Sequence, residues 1–438
     1  MLHKEGIRMY DKAIINGNVY LENGFAKTNI YIQGEKIALI SDTLYEALDV
    51  LDAKGLEVLP GLIDPHVHFD LDLGFIRSKD TFKTGSKAAA YGGVTTIIDF
   101  LEPVDSYELL QNALSVRLNE ARQTAIDYTF HACIKAPKED LETFVKTVKL
   151  LGLKSIKFFT TYSESNRKTP DEAIKKLLDL SAQHNILLLG HLEDDTLIHH
   201  DDAFTYKDLL KSRPSVAETV EALKMIEYLK HSDGKLYMVH VSSGNTVEAI
   251  LENGKRLLGL QLFLESCPQY FTFTDKVLNQ DNGMLYTLAP PMRSKEEQAL
   301  LFKRHHAFHT FATDHCAFNT SDKNKNKLSE IPLGIGGIEF SFGIMRNLLG
   351  DSVINKMTKH VADIFGIKNK GQIKVGHDAD IMIFKPSKSI IKQHHGGTDY
   401  SPYIGVETSG YTIHTMVRGN YVIKNREYLE HQGKFIKE

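Results

Sequence analysis

The rhythm of apolar and polar positions changes twice along the chain. From residue 12 to 58, short apolar runs are broken by turn residues, as in KAIINGNVYLENGF and NIYIQGEKIALI, the pattern of short strands. Residues 371 to 424 repeat it, in GQIKVGHDADIMIF and YTIHTMVRGNYVI. Between these ends the spacing lengthens to strand, helix, strand. This predicts one small β domain assembled from both ends, 1–58 with 371–438, and a larger domain over 59–370 inserted between them.

Eight apolar runs in the middle read as buried strands: LPGLIDPHV, VTTIIDF, DYTFHACI, SIKFF, ILLLGHL, LYMVHV, LQLFLES and TFATD. Helical patterns separate most of them. Thr169, Pro170 and Glu172 read as a capping box with proline at the first helical position, ahead of AIKKLLDLSAQHN. VAETVEALKMIEYLK puts Val216, Val220, Leu223 and Ile226 on one stripe, the pattern of a helix facing a core. Residues 84 to 91, TGSKAAAY, stop at Gly92 and Gly93. Eight such β/α units in about 250 to 300 residues predict a (β/α)8 TIM barrel beside a small β-sandwich. A doubly wound open sheet is the runner-up, but no GxGxxG follows a strand.

Composition narrows the function. The 438 residues are 42% apolar and 25% charged, with a net charge of −4. This balance gives no basic footprint for nucleic acid and no polybasic signal for a membrane. No run approaches the roughly 18 apolar residues of a membrane span. The start, MLHKEGIRMYDK, lacks the apolar core of a signal peptide, and its Met9 offers a second start site. Cys133, Cys267 and Cys316 are widely spaced, which fits a reducing cytoplasm better than a disulfide framework.

In a barrel of this kind the chemistry sits at the C-terminal ends of the strands. His66 and His68 end the first run, and their i, i+2 spacing turns both imidazoles the same way. Lys157 lies in the fourth run, His191 ends the fifth, His240 the sixth and Asp314 the eighth. Each alone has a plain structural use. A strand-end histidine can be satisfied by hydrogen bonds, Asp314 can cap a helix, and Lys157 can snorkel to water. Together, four imidazoles, a lysine and an aspartate at five strand ends would leave many buried polar groups to satisfy without a metal. Neutral imidazole and carboxylate are good zinc ligands, and the number of ligands suits two divalent ions. The lysine fits such a site once its amine has reacted with CO₂. The resulting carbamate is a carboxylate on a long arm, able to bridge two metals.

The segments PGLIDPHVHFD, SIKFFTTY, GHLEDD, VHVSSG, ESCPQYF, APPMRS and ATDH, in that order, resemble the amidohydrolase superfamily. More narrowly they resemble its cyclic amidohydrolases: hydantoinase/dihydropyrimidinase, dihydroorotase and allantoinase. The resemblance runs from about residue 12 to 424. It implies a hydantoin or dihydropyrimidine ring opened to an N-carbamoyl amino acid by a metal-bridging hydroxide. Two metal ions, usually zinc, and a carboxylated Lys157 are implied with it. His66, His68 and Asp314 would bind the more buried ion and His191 and His240 the other, with Asp314 also moving the proton. Tyr162, five residues past Lys157, matches the hydantoinase tyrosine that hydrogen-bonds the substrate oxygen.

Dihydroorotases commonly carry arginine where this chain has Asp70, which is expected to repel an anion, while Leu71, Leu73 and Phe75 suit an apolar exocyclic group. Ala289 stands where hydantoinases often have serine, and Leu333 where they often have asparagine, in loops whose main chain holds the cyclic imide. The rival expectations are an allantoinase, a dihydroorotase-like enzyme, or a dihydropyrimidinase-like assembly protein without catalysis. All six ligand positions are filled, which argues against the last. The resemblance also implies a homo-oligomer, a tetramer or dimer. KNKNK, residues 323 to 327, reads as a solvated loop.

Overall fold

The computed structural model describes residues 9–22, 24–138 and 140–437, so residues 1–8, which a start at Met9 would omit, lie outside the described residues. The eight central runs form one parallel sheet. Its strands are Leu62–Asp64, Val94–Phe100, Asp127–Cys133, Ser155–Phe159, Leu187–His191, Leu236–Met238, Leu262–Ser266 and Thr310–Phe311. They pair in chain order, and a parallel bridge between Val67 and His315 brings the eighth strand's end back to the first.

Alternation along each strand separates two packing layers. In Ser155–Phe159, Ile156 and Phe158 point outward into the layer shared with the helices. Ile63, Ile98, Leu187, Leu189 and Tyr237 form a second cluster, plugged by Val361, Ala362 and Phe365 of the helix Lys359–Phe365. This leaves the opposite mouth for the polar strand ends.

The chain ends build a mixed nine-stranded sheet. Its hinge is Glu57–Pro60, parallel to Tyr10–Leu21 on one side and antiparallel to Ile381–Ile390 on the other. One residue later the chain enters the first barrel strand, so the two sheets are joined without a long linker.

The helix expected from residue 84 spans Phe82–Gly92, with Thr81 and Thr84 forming its capping box and Gly93 its left-handed stop at φ 89°. Two expectations are corrected. The capping box at Thr169 does not form: Pro170 is extended and is itself the cap of Asp171–His184, while the Thr169 hydroxyl donates to the Ile134 carbonyl. The stripe on Ser215–Lys230 faces the wrong way. Val216 and Val220 are 50% and 39% exposed, whereas Ala217, Glu218, Glu221, Ala222 and Met225 are buried beside Ile226. Two buried acids displace the apolar pattern there, and Glu218 has a reason to be inside, given below.

Candidate metal centre and substrate cavity

A cavity of about 700 Å³ opens at the C-terminal end of the barrel, and His66, His68, Lys157, His191, His240 and Asp314 all line it. Lys157 stands beside Leu189 in the register of the fourth and fifth strands, with His191 two residues further along the same face. The four imidazoles form a continuous row. Ring centroids are 5.2 Å apart for His68 and His66, 5.4 Å for His66 and His240, and 4.5 Å for His240 and His191. Asp314 Oδ1 lies 3.2 Å from His66 Nε2 and 3.1 Å from His68 Nε2. His240 and Asp314 adopt φ 39° and 51°. Left-handed backbone at non-glycine residues costs about 1–3 kcal/mol each and persists only where packing enforces it.

The donor set fits divalent cations. Burial drives the imidazoles of His66 and His240 well below their ordinary pKa, so they are neutral and their lone pairs are free to bind metal. Two ligands 2.0–2.1 Å from a tetrahedral zinc stand about 3.3 Å apart, close to the separations at Asp314. Burial also lowers the Lys157 amine to about 8. Among the described residues its nitrogen has no hydrogen-bond or ion-pair partner. The rings of Phe100 and Phe159 lie 5.5 Å away on either side. An amine lowered to about 8 presents far more of its neutral, nucleophilic form near neutrality than an exposed lysine does.

Carboxylates behind the row orient the imidazoles. Glu265 Oε1 is 2.8 Å from His66 Nδ1 and accepts the His240 N–H at 2.8 Å, while Oε2 accepts the Tyr237 hydroxyl. Glu193 Oε2 is 2.7 Å from His191 Nε2 and is paired with the Arg213 fork. Glu218 accepts the N–H groups of Ser242 and Ser243, just past His240, which explains its burial on the helix Ser215–Lys230. Such partners fix the tautomer and aim of a ligating histidine. None of the three acids was singled out in the sequence. The signal was present: Glu265 interrupts the apolar run LFLES, and Glu193 sits two residues past His191.

The walls are mixed. Tyr162, Leu71, Phe75, Ala289 and Leu333 all line the cavity, with Phe75 at the rim and 65% exposed. Tyr162 sits at φ 70°, its ring centroid 5.2 Å from that of His191. Its hydroxyl has no hydrogen-bond partner among the described residues. The expected repulsion of anions by Asp70 is corrected. Its carboxylate accepts the Phe82 N–H at 2.8 Å, at the start of the helix Phe82–Gly92, and does not line the cavity.

The model of the amidohydrolase family matches residues 58–422. The chain belongs to the amidohydrolase family. It is 31% identical over 452 aligned residues to a D-hydantoinase of Geobacillus stearothermophilus, covering 96% of this chain and 95% of that protein. It is 30% identical to a D-phenylhydantoinase of Escherichia coli K12, covering 96% of each. Among solved structures, a dihydropyrimidinase from Brevibacillus agri NCHU1002 superposes with a TM-score of 0.90 at 29% identity, and a D-hydantoinase with 0.92 at 29%, each covering 98% of both chains. Family membership makes a metal-dependent hydrolase of the barrel.

Other polar groups in this amidohydrolase have structural uses. His131 lies 2.5 Å from Ser155 Oγ and 2.9 Å from the Pro65 carbonyl oxygen. His315 pairs with the buried Asp80 at 2.9 Å. A second acidic group, Asp127, Asp378 and Asp380, is filled by the Lys370 ammonium, 2.8, 3.1 and 2.5 Å from the three carboxylates. KNKNK is only partly a solvated loop. Lys323 is fully buried, donating to the Thr287 carbonyl at 2.7 Å. No helix of the described residues is long and apolar enough to cross a membrane.

Proposed function

We propose that the protein is a metal-dependent cyclic amidohydrolase, opening a hydantoin or dihydropyrimidine ring to an N-carbamoyl amino acid. The observation that carries this reading is the convergence of six ligand-type side chains from five strands on one cavity floor, beneath a wall holding Tyr162 and apolar groups. The names of the relatives set the substrate class. On this reading the barrel, 59–370, carries the chemistry, and 1–58 with 371–438 form the supporting β domain. The three cysteines are buried and unpaired, which supports a reducing, cytoplasmic setting, and family likeness supports a homo-oligomer.

His66, His68 and Asp314 would hold one ion, His191 and His240 the other, and Lys157 as its carbamate would reach both. Two divalent ions, zinc by the donor set, supply Lewis acidity and lower the pKa of water towards neutrality. The chain's own groups do the rest. Tyr162 donates its hydroxyl hydrogen to the amide oxygen as negative charge develops there, worth roughly 3–4 kcal/mol for one well-aimed donor. Asp314 accepts the proton of the attacking water and returns it to the leaving ring nitrogen. The carbonyl carbon gains the water oxygen, the carbon–nitrogen bond breaks, and the ring opens to a carboxylate and a carbamoyl nitrogen. Leu71 and Phe75 offer apolar surface to a ring substituent, and Ala289 and Leu333 bring backbone to the ring itself.

Turnover of hydantoin, 5-substituted hydantoins, dihydrouracil, allantoin and dihydroorotate by purified protein tests the reading. Hydantoin or dihydrouracil is expected to lead, and Lys157→Ala and Asp314→Asn each to remove nearly all turnover. Preference for dihydroorotate or allantoin would redirect the assignment, and wild-type kcat in either variant would end it.

A further inference from the structure

Arg213 is a buried cation that touches both sides of the site. It is 4% exposed and follows the short helix Leu209–Ser212. Its Nη2 donates to Glu193 Oε2 at 2.5 Å, and its Nε lies 3.1 and 3.3 Å from the two oxygens of the same carboxylate. Its guanidinium carbon stands 4.8 Å from the centroid of the Tyr162 ring. Its carbonyl accepts Arg293 Nη1 at 2.6 Å, and Arg293 Nε in turn donates to Ser242 Oγ at 3.0 Å, so the backbone carrying Arg213 is itself tied down.

The backbone of Tyr162 is held, its carbonyl accepting the Ser165 and Arg167 N–H groups at 3.2 and 3.1 Å, but its side chain has no comparable anchor. Among the described residues its hydroxyl is unbonded, and its backbone sits in the left-handed region at φ 70°. Its ring is placed by contact: the Arg213 guanidinium carbon over it at 4.8 Å, the His191 ring at 5.2 Å and the Phe159 ring at 6.0 Å. A hydroxyl aimed at a developing oxyanion must be held closely by a shell it does not itself bond, since small misplacements cost large factors in rate.

We propose that Arg213 is a positioning residue for Tyr162: anchored edge-on by Glu193, its guanidinium plane forms the platform that aims the tyrosine hydroxyl into the cavity. Only arginine can do both, because its planar fork satisfies a carboxylate while its face covers a ring. A lysine keeps the charge and loses the platform. The proposal rests on the oxyanion role given to Tyr162 above.

The test compares Arg213→Lys, Tyr162→Phe and the double variant of the metal-loaded enzyme, on hydantoin. Metal content and melting midpoint are measured for each. Tyr162→Phe is expected to lower kcat on the order of 100-fold, the loss typical of one oxyanion donor. Arg213→Lys should lower kcat by at least about tenfold with metal content and KM within about threefold of wild type, and the double variant should be no slower than Tyr162→Phe alone, because coupled residues are non-additive. If Arg213→Lys does not fold, Arg213→Gln, whose amide can still donate to Glu193 but which has no guanidinium to lie over the tyrosine ring, is held to the same pattern.

Wild-type kcat in Arg213→Lys overturns the proposal, as does a loss explained by missing metal. So do losses that multiply in the double variant, which would mean that the two residues act independently. Full activity of Tyr162→Phe would instead remove the oxyanion reading, and this proposal with it.

Discussion

At the scale of single residues, the candidate ligands were visible because each ends or interrupts an apolar run, where a polar side chain needs a reason. Lys157 between Ile156 and Phe158 is the plainest case. Their partners were not visible, because Glu265 and Glu193 gain meaning only once neighbouring strands bring them behind His66 and His191. Asp70 shows the converse error. Its position beside the His-x-His motif was legible, but the direction of its side chain was not, since a left-handed φ of 51° turns it to the Phe82 N–H. Glu265 is the natural residue-scale test. It serves His66, the His240 backbone and Tyr237 at once, so Glu265→Gln should weaken metal affinity about 10- to 100-fold, the usual loss for a partner behind a ligand. Competition against a chelator reads this directly. Unchanged affinity would mean that the carboxylate does not set the histidine geometry.

At the scale of elements, all eight strands were legible, but LPGLIDPHV, LYMVHV and TFATD shorten to Leu62–Asp64, Leu236–Met238 and Thr310–Phe311. The runs VTTIIDF and SIKFF became strands with the same ends, because fully buried parallel strands are continuous apolar runs. Helix faces were less legible. On Ser215–Lys230 the valines at 216 and 220 imitate a core stripe, yet the buried face is the one carrying Glu218, which reaches the backbone after His240. A periodicity argument treats an acid as solvent-facing and cannot see that the Ser242 and Ser243 N–H groups hold one inside. Val220→Lys should therefore change stability by less than about 0.5 kcal/mol, within the range of ordinary surface substitutions. Ile226→Ala, at a position 1% exposed, should cost about 2–5 kcal/mol. Chemical denaturation of the two variants checks the assignment, and equal effects would contradict it.

At the scale of the whole molecule, the chain ends are tied to the barrel by charge as well as by sheet. Asp378 and Asp380, in the turn opened by Gly376 at φ 89°, converge with Asp127 of the third barrel strand on Lys370. The carboxylates raise the Lys370 pKa against the opposing effect of burial. Lys370→Met should cost about 3–5 kcal/mol, because it leaves the buried Asp380 without a cation, although Asp127 keeps Arg418 and Asp378 keeps Lys36. A melting midpoint near that of wild type would contradict it. The sandwich and barrel were foreseeable from the change of rhythm along the chain; this buried join was not, since it links residues 243 positions apart. The central claim is that the six converging side chains bind two catalytic cations. Elemental analysis of the purified, CO₂-equilibrated protein, with ring-opening activity followed through chelation and reloading, tests it most directly. The account predicts two divalent ions per chain, activity lost on their removal and regained on their return, and no stable pair in Lys157→Ala. Full turnover by metal-free protein would contradict it.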